Sequence, residues 1–296
     1  MPIASVTLTR PVELDGIGTH SGAPVRLRIL PGADGGGISF RRTDVAGAAP
    51  LAADWRAVGA TMLATVLGDP ARDGVATVEH LMAAFAGLGL RAAEVELDGP
   101  EMPIMDGSAA PFVDALLAAG LALRPGPVAA IRIRDTVRVG DGDAWAELVP
   151  ADDAAAAAAA ARFEVTIDFP EPVVGRQTIA FALTPEVFRD EIAPARTFGR
   201  LAEVEELRRR GFAKGSSLAN AVAIDRDGRR VLNPEGLRFA DEFVRHKALD
   251  AVGDLALAGR PVLGLYRSHK GGHRLNHRML AALFARPDAY EVVSVP

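Results

Sequence analysis

The chain has 296 residues, of which 49% are hydrophobic and 24% charged, with a net charge of −5 and no cysteine. That is enough apolar material for two domains or one large one, and the acidic balance argues against a nucleic-acid binder, which would show a basic face or tail. Without cysteine there are no disulfides, and any zinc must be held by His and carboxylate alone.

The first segment, Met1-Pro-Ile-Ala-Ser-Val-Thr-Leu-Thr-Arg10, lacks the charged start and apolar centre of a signal peptide. No apolar run approaches the roughly eighteen residues of a membrane span, so a cytoplasmic protein is expected. Short strands follow, such as Val25-Arg-Leu-Arg-Ile-Leu30 with apolar residues at alternate positions, separated by glycine turns. Thr77 is placed to cap a helix beginning Val-Glu-His-Leu. A strand is expected at Ala93–Leu97, and a helix from about Ala110 to Ala119. Arg124-Pro-Gly-Pro127 is the expected boundary, giving domains at 1–125 and 128–296.

The second part repeats the plan of strands, helix, strand and helix. Aligning Val78-Glu-His80 with Val244-Arg-His246 also pairs Gly87 with Gly253, a match short enough to be coincidence. If the repeat is real, His80 and His246 meet near the domain interface, where small-molecule sites tend to lie. The run Ala154–Ala161 reads as a loose insertion without a role, and residues 184–225, with a helix at Leu201–Arg210, as an extra element. A last strand is expected from Pro261 to Tyr266, then a glycine turn, Ser268–His273, and a helix from about Asn276.

Chemistry concentrates on the helix expected from Asp241 to Gly259, which Gly259 would end in a left-handed turn. At about 100° per residue, Asp250 lies roughly 40° and Asp254 roughly 80° around the axis from His246. The stripe is either a solvated polar face or a pair of metal ligands with Asp254 free to orient another group. Glu79 is likewise either a residue favoured by the helix dipole or a general base beside a ligand, His80. Together His80, His246 and Asp250 make a three-ligand set suited to catalytic zinc. His273, after two glycines, sits on a surface loop or is aimed into the site, where a carboxylate such as Asp254 would keep it protonated.

These residues lie in blocks with a clear resemblance to a known family. Asp241-Glu-Phe-Val-Arg-His-Lys247 with Leu249-Asp-Ala-Val-Gly-Asp254, Thr77-Val-Glu-His-Leu81, Pro103-Ile-Met-Asp-Gly-Ser-Ala-Ala-Pro-Phe112, Ala195-Arg-Thr-Phe-Gly199 and Gly16-Ile-Gly-Thr-His-Ser-Gly22 are similar to those of the UDP-3-O-acyl-N-acetylglucosamine deacetylases, in the same order over nearly the whole chain. The resemblance implies an α+β fold of two similar domains, each a β-sheet layered with helices, with the active site between them. It implies the committed step of lipid A synthesis and zinc at His80, His246 and Asp250, a ligand set that Fe(II) also suits. Glu79 becomes the base, His273 the acid, Asp254 the residue that orients it, and Thr197 an oxyanion contact. Lys247 and Lys270 would face the nucleotide diphosphate, Phe169 would stack on uracil, and Phe198 would be a further substrate contact. The element at 184–225 would form the acyl-chain passage.

The partner implied is the UDP-sugar substrate, with at most transient membrane contact, and the expected state is a monomer. The chain departs from the family pattern at Gly215-Ser-Ser217, at Ala219 and at Glu171, and its alanine run is longer than the usual connection. A mononuclear iron oxygenase shares the ligand set but would need a redox co-substrate motif, which is absent from the sequence. An inactive metal-binding relative is disfavoured because every acid, base and ligand position is filled.

Overall fold

The computed structural model describes residues 5–33, 35–151 and 161–295. The alanine run, apart from Ala161, lies outside them. The described residues form an α+β architecture in which each half carries a five-stranded sheet.

The sheet of the N-terminal half has the order Val12–Ile17, Pro24–Pro31, Ala93–Leu97, Ile38–Arg42, Leu51–Ala52. Every pairing is antiparallel except that of Ala93–Leu97 with Ile38–Arg42. The sheet of the C-terminal half runs Val137–Asp141, Ala144–Val149, Leu265–His269, Arg162–Asp168, Arg176–Ala182. Its single parallel pairing, Leu265–His269 with Arg162–Asp168, falls at the same place in the order. The two halves therefore share one topology. Even their closing pairs correspond: Ser5–Leu8 with Leu121–Arg124, and Val128–Ile133 with Tyr290–Val295. The period-2 pattern behind this is plain in Pro24–Pro31, where Val25, Leu27 and Ile29 are buried and Arg26 and Arg28 are exposed.

The longer helices are α1 (Glu79–Leu88), α2 (Ala110–Ala119), α3 (Leu201–Arg209), α4 (Glu242–Ala256) and α5 (His273–Phe284). Helix α1 ends on Gly89 in the left-handed conformation, φ 75°. Beyond α4, Gly259 has φ 73° and its N–H donates to the Ala256 carbonyl, so the left-handed turn lies where the sequence expects it. Helix α3 sits between two short parallel strands, Phe198–Arg200 and Val222–Ile224, within the extra element.

Helices α1 and α4 pack against each other so closely that a Cβ on Gly253 would lie 2.0 Å from the Glu79 carbonyl oxygen. Nearly every residue of both helices is buried. One apolar cluster runs through both halves, from Leu27, Phe40 and Phe85 to Phe243, Leu249 and Met279. The polar face of α4 is therefore not solvated: His246, Asp250 and Asp254 are each at most 2% exposed.

Two local expectations are corrected. Thr77 does not cap α1. It has φ 62°, costly for a β-branched residue, and its hydroxyl donates to the buried Glu101 at 3.2 Å. Glu101 also accepts the N–H groups of His20 and Ser21, and this buried carboxylate draws Thr77 out of the capping geometry. Helix α5 begins at His273, three residues before the expected start, because pairing with Trp145 and Thr166 carries the preceding strand on to His269. The turn is thereby shortened to Lys270, with φ 53°, and two glycines.

Because Gly253 meets backbone and not a flexible side-chain end, Gly253→Ala must push the helices apart. The expected cost is about 1–3 kcal/mol, read as a lower urea midpoint at unchanged slope. An unchanged midpoint would show that the helix pair is not in tight contact.

Candidate active site

Helix α1 supplies Glu79 and His80, α4 supplies His246, Asp250 and Asp254, and the first residue of α5 is His273. The four-residue spacing on α4 sets His246 Nε2 3.3 Å from Asp250 Oδ1. Across the helix interface, His80 Nε2 lies 3.7 Å from the same oxygen, and the two imidazole rings meet edge to face with centroids 5.1 Å apart. One potential ligand atom from each of His80, His246 and Asp250 lies within 4.8 Å of the others.

The electrostatics of this trio suit a cation. Burial, reinforced by His246, drives the His80 pKa down to about 3, and burial also lowers that of His246. Both imidazoles are therefore neutral, each with one ring nitrogen free to offer a lone pair. Burial works against a charge on Asp250, but its cationic neighbours, Lys247 and His273, outweigh it and hold the carboxyl below the usual range. Lys247 Nζ donates to Asp250 Oδ2 at 2.8 Å, whereas Oδ1 is buried without a hydrogen-bond partner among the described residues. His246 Nδ1 faces the Ala195 carbonyl at 3.0 Å, which fixes the ring and leaves Nε2 as the donor atom toward a metal. Two nitrogens and one oxygen match the donor set of catalytic zinc sites.

Beside the trio stands a carboxyl–imidazole pair, with His273 Nε2 3.7 Å from Glu79 Oε1. Burial pushes Glu79 up to about 7, partly offset by the charge of His273. Burial opposes the charge on His273, but Asp254 and Glu79 outweigh it and push the imidazole up to about 10. Asp254 Oδ2 lies 2.8 Å from His273 Nδ1.

The other residues singled out in the sequence spread outward from this centre. The Phe198 ring lies 6.4 Å from His246 and 5.7 Å from Lys247 Nζ, and Phe169 packs edge-on against it at 5.5 Å. Thr197 is anchored by its backbone, N–H to the Gly107 carbonyl at 2.8 Å, and its hydroxyl makes no hydrogen bond among the described residues. Lys270 is engaged by Asp143 at 2.6 Å and Asp168 at 3.6 Å. Glu171, one of the positions where the sequence departs from the family pattern it resembles, accepts from Arg200 at 2.8 Å.

Sequence reasoning missed three side chains in this network. Thr65 contacts both Glu79 and Asp254. Asn276 donates to Asp254 at 2.8 Å and accepts from the Tyr266 hydroxyl at 2.5 Å. The three-residue spacing from His273 could have flagged Asn276, but nothing local marks Thr65. The buried pair Arg196–Glu242 was also missed. Its 2.9 Å contact ties the Ala195–Phe198 segment to the start of α4.

Two neutral imidazoles and a carboxylate able to hold a cation, beside a carboxyl–imidazole pair, give this centre the composition of a hydrolytic enzyme. Comparison with known proteins narrows the class. The family model for UDP-3-O-acyl N-acetylglycosamine deacetylase matches residues 5–285. Relatives from Brucella ovis, Brucella canis and Brucella melitensis biotype 2, each named UDP-3-O-acyl-N-acetylglucosamine deacetylase, are 46% identical over 288 residues, covering 97% of this chain and 97% of theirs. The chain belongs to this deacetylase family.

The metal-free protein should bind one divalent cation, and His80→Ala, His246→Ala and Asp250→Ala should each weaken it by more than the roughly 10–100-fold typical of losing a residue that only supports a ligand. Competition against a chromogenic chelator measures this. Affinity unchanged in all three variants would remove the site.

Proposed function

We propose that the protein hydrolyses the N-acetyl group of UDP-3-O-acyl-N-acetylglucosamine, releasing acetate in the committed step of lipid A biosynthesis. The observation that carries this reading is the Glu79–His273 pair standing beside the His80, His246 and Asp250 group in a chain of this family. Zinc held by His80, His246 and Asp250, or Fe(II) in its place, would supply Lewis acidity toward water and the acetamide carbonyl.

The chain's own residues do the rest. Glu79, once deprotonated, takes a proton from the attacking water. Protonated His273 and the free Thr197 hydroxyl stabilise negative charge as it develops on the carbonyl oxygen. His273 then gives its proton to the departing nitrogen, so that acetate and a free amine leave. Asp254 holds the imidazole in the orientation this requires, and Lys247 neutralises Asp250 on its far side.

Substrate recognition follows outward from the reacting group. Phe169 and Phe198 offer an aromatic face for uracil, and Lys270 with Lys247 offers positive charge for the diphosphate. A cavity of about 270 Å³ walled by Met62, Leu63, Val66, Pro100 and Phe212 is apolar enough for the 3-O-acyl chain. Phe212 comes from the extra element at 184–225, and most of the remaining wall comes from the N-terminal half. We place the domain boundary at residues 125–128 and propose a monomer working in the cytoplasm, with at most transient membrane contact. No helix among the described residues is long and apolar enough to cross a membrane.

Acetate release should fall about 10²–10⁴-fold in Glu79→Ala while one equivalent of zinc stays bound. Turnover near the wild-type rate would overturn the role of Glu79 as base. The profile of kcat/KM against pH should be bell-shaped. Its rising limb reports loss of the Glu79 proton, near 7 in the metal-free chain and lower with a cation beside it. Its falling limb reports loss of the His273 proton, near 10. Both limbs belong to the coupled pair, and a profile flat from pH 5 to 11 would exclude the pair as acid and base.

A further inference from the structure

Thr65 immediately precedes the short strand Val66–Leu67 in the N-terminal half and is 2% exposed. Its backbone N–H donates to Glu79 Oε2 at 3.0 Å. Its hydroxyl donates to Asp254 Oδ1 at 2.5 Å, and the same oxygen lies 3.2 Å from His273 Nδ1. A threonine hydroxyl has one proton to give, and here it goes to Asp254. Toward His273 the oxygen can only accept, so Nδ1 carries a proton. That proton is shared between Thr65 Oγ1 and Asp254 Oδ2, and Nε2 is left facing Glu79.

The second oxygen of Asp254 is fixed independently. The Tyr266 hydroxyl donates to Asn276 Oδ1, which turns the Asn276 amide nitrogen toward Asp254 Oδ2 at 2.8 Å. Asn276 and Tyr266 belong to the same half as Asp254 and His273. Among the described residues, Thr65 is the one that hydrogen-bonds both to Glu79 and to the Asp254–His273 pair, and it does so from the opposite half.

We infer that Thr65 is a positioning residue that sets the general base against the general acid, its N–H on Glu79 and its hydroxyl on Asp254 and His273. The meaning of base and acid here rests on the deacetylase reading above. A buried threonine serving stability alone would leave kcat of the folded, metal-loaded enzyme untouched. A positioning residue acts on kcat, because displacement of a reacting group by about 1 Å costs on the order of 100-fold.

The test uses the full zinc-loaded chain and acetate release from UDP-3-O-acyl-N-acetylglucosamine. Thr65→Val keeps the shape and the backbone N–H but removes the hydroxyl. Its kcat should fall about 10–100-fold, as for loss of a hydrogen bond to a charged group, with KM and zinc content within about two-fold of wild type. Thr65→Ser restores the hydroxyl and should recover kcat to within about three-fold. Independently of turnover, the His273 Nδ1–H proton resonance should persist in wild type and Thr65→Ser, and broaden or shift in Thr65→Val.

A Thr65→Val kcat within about three-fold of wild type, or a Thr65→Ser enzyme as impaired as Thr65→Val, overturns the inference. If Thr65→Val does not fold, Thr65→Ala takes its place under the same criteria. A wild type that releases no acetate sinks the deacetylase reading, while the proton resonance still decides whether Thr65 holds the imidazole.

Discussion

The close approach of α1 and α4 is the contact on which the rest of this structure depends. A glycine at position 253 lets the two backbones meet where any side chain would strike the Glu79 carbonyl. The prospective ligands are divided between these helices, His80 on one and His246 and Asp250 on the other. Their mutual geometry is therefore set by an interhelical contact between halves. Tight packing of this kind has few alternative arrangements, which suits a site whose geometry matters to a few tenths of an ångström.

Water exclusion is the second constraint, and its effect differs from group to group. It lowers the pKa of His80 and His246 and raises that of Glu79. Asp250 and His273 keep their charge only because neighbours of opposite sign overcome the desolvation penalty. The buried Asp250 Oδ1, without a hydrogen-bond partner among the described residues, is costly in isolation. A cation held there would offset the cost, so cation binding and the stability of the helix interface are expected to be coupled.

The shared topology of the halves explains why the site lies at their seam. Each half presents a sheet with one parallel pairing and a helix leading into its central strand. The two halves differ in helix length and in the side chains they bring. Helix α1 has 10 residues and brings Glu79 and His80, while α4 has 15 and brings His246, Asp250 and Asp254. The aromatic contact chain from Phe169 through Phe198 to His246 then joins the extra element's first strand to the prospective metal ligands.

Much of this was legible in the linear chain, because local geometry carried it. A His and an Asp four residues apart on a helix share one face whatever surrounds them, and Glu79 and His80 are adjacent in the chain. Alternation in Val25–Leu30 named a strand, and Gly259 named the left-handed turn that follows α4. Where a distant partner competed with a local preference, the local reading failed. Thr77 was drawn from its capping geometry by Glu101, and the strand before His273 was lengthened by pairing across the sheet. Thr65 could not be found at all, since its contacts to Asp254 and His273 span 189 and 208 residues. The sequence by itself determined which residue types sit on each helix and at what angular spacing, since helical geometry is local. Only the tertiary structure decided that the polar stripe of α4 faces inward and meets α1, because burial and cross-chain hydrogen bonds are properties of packing.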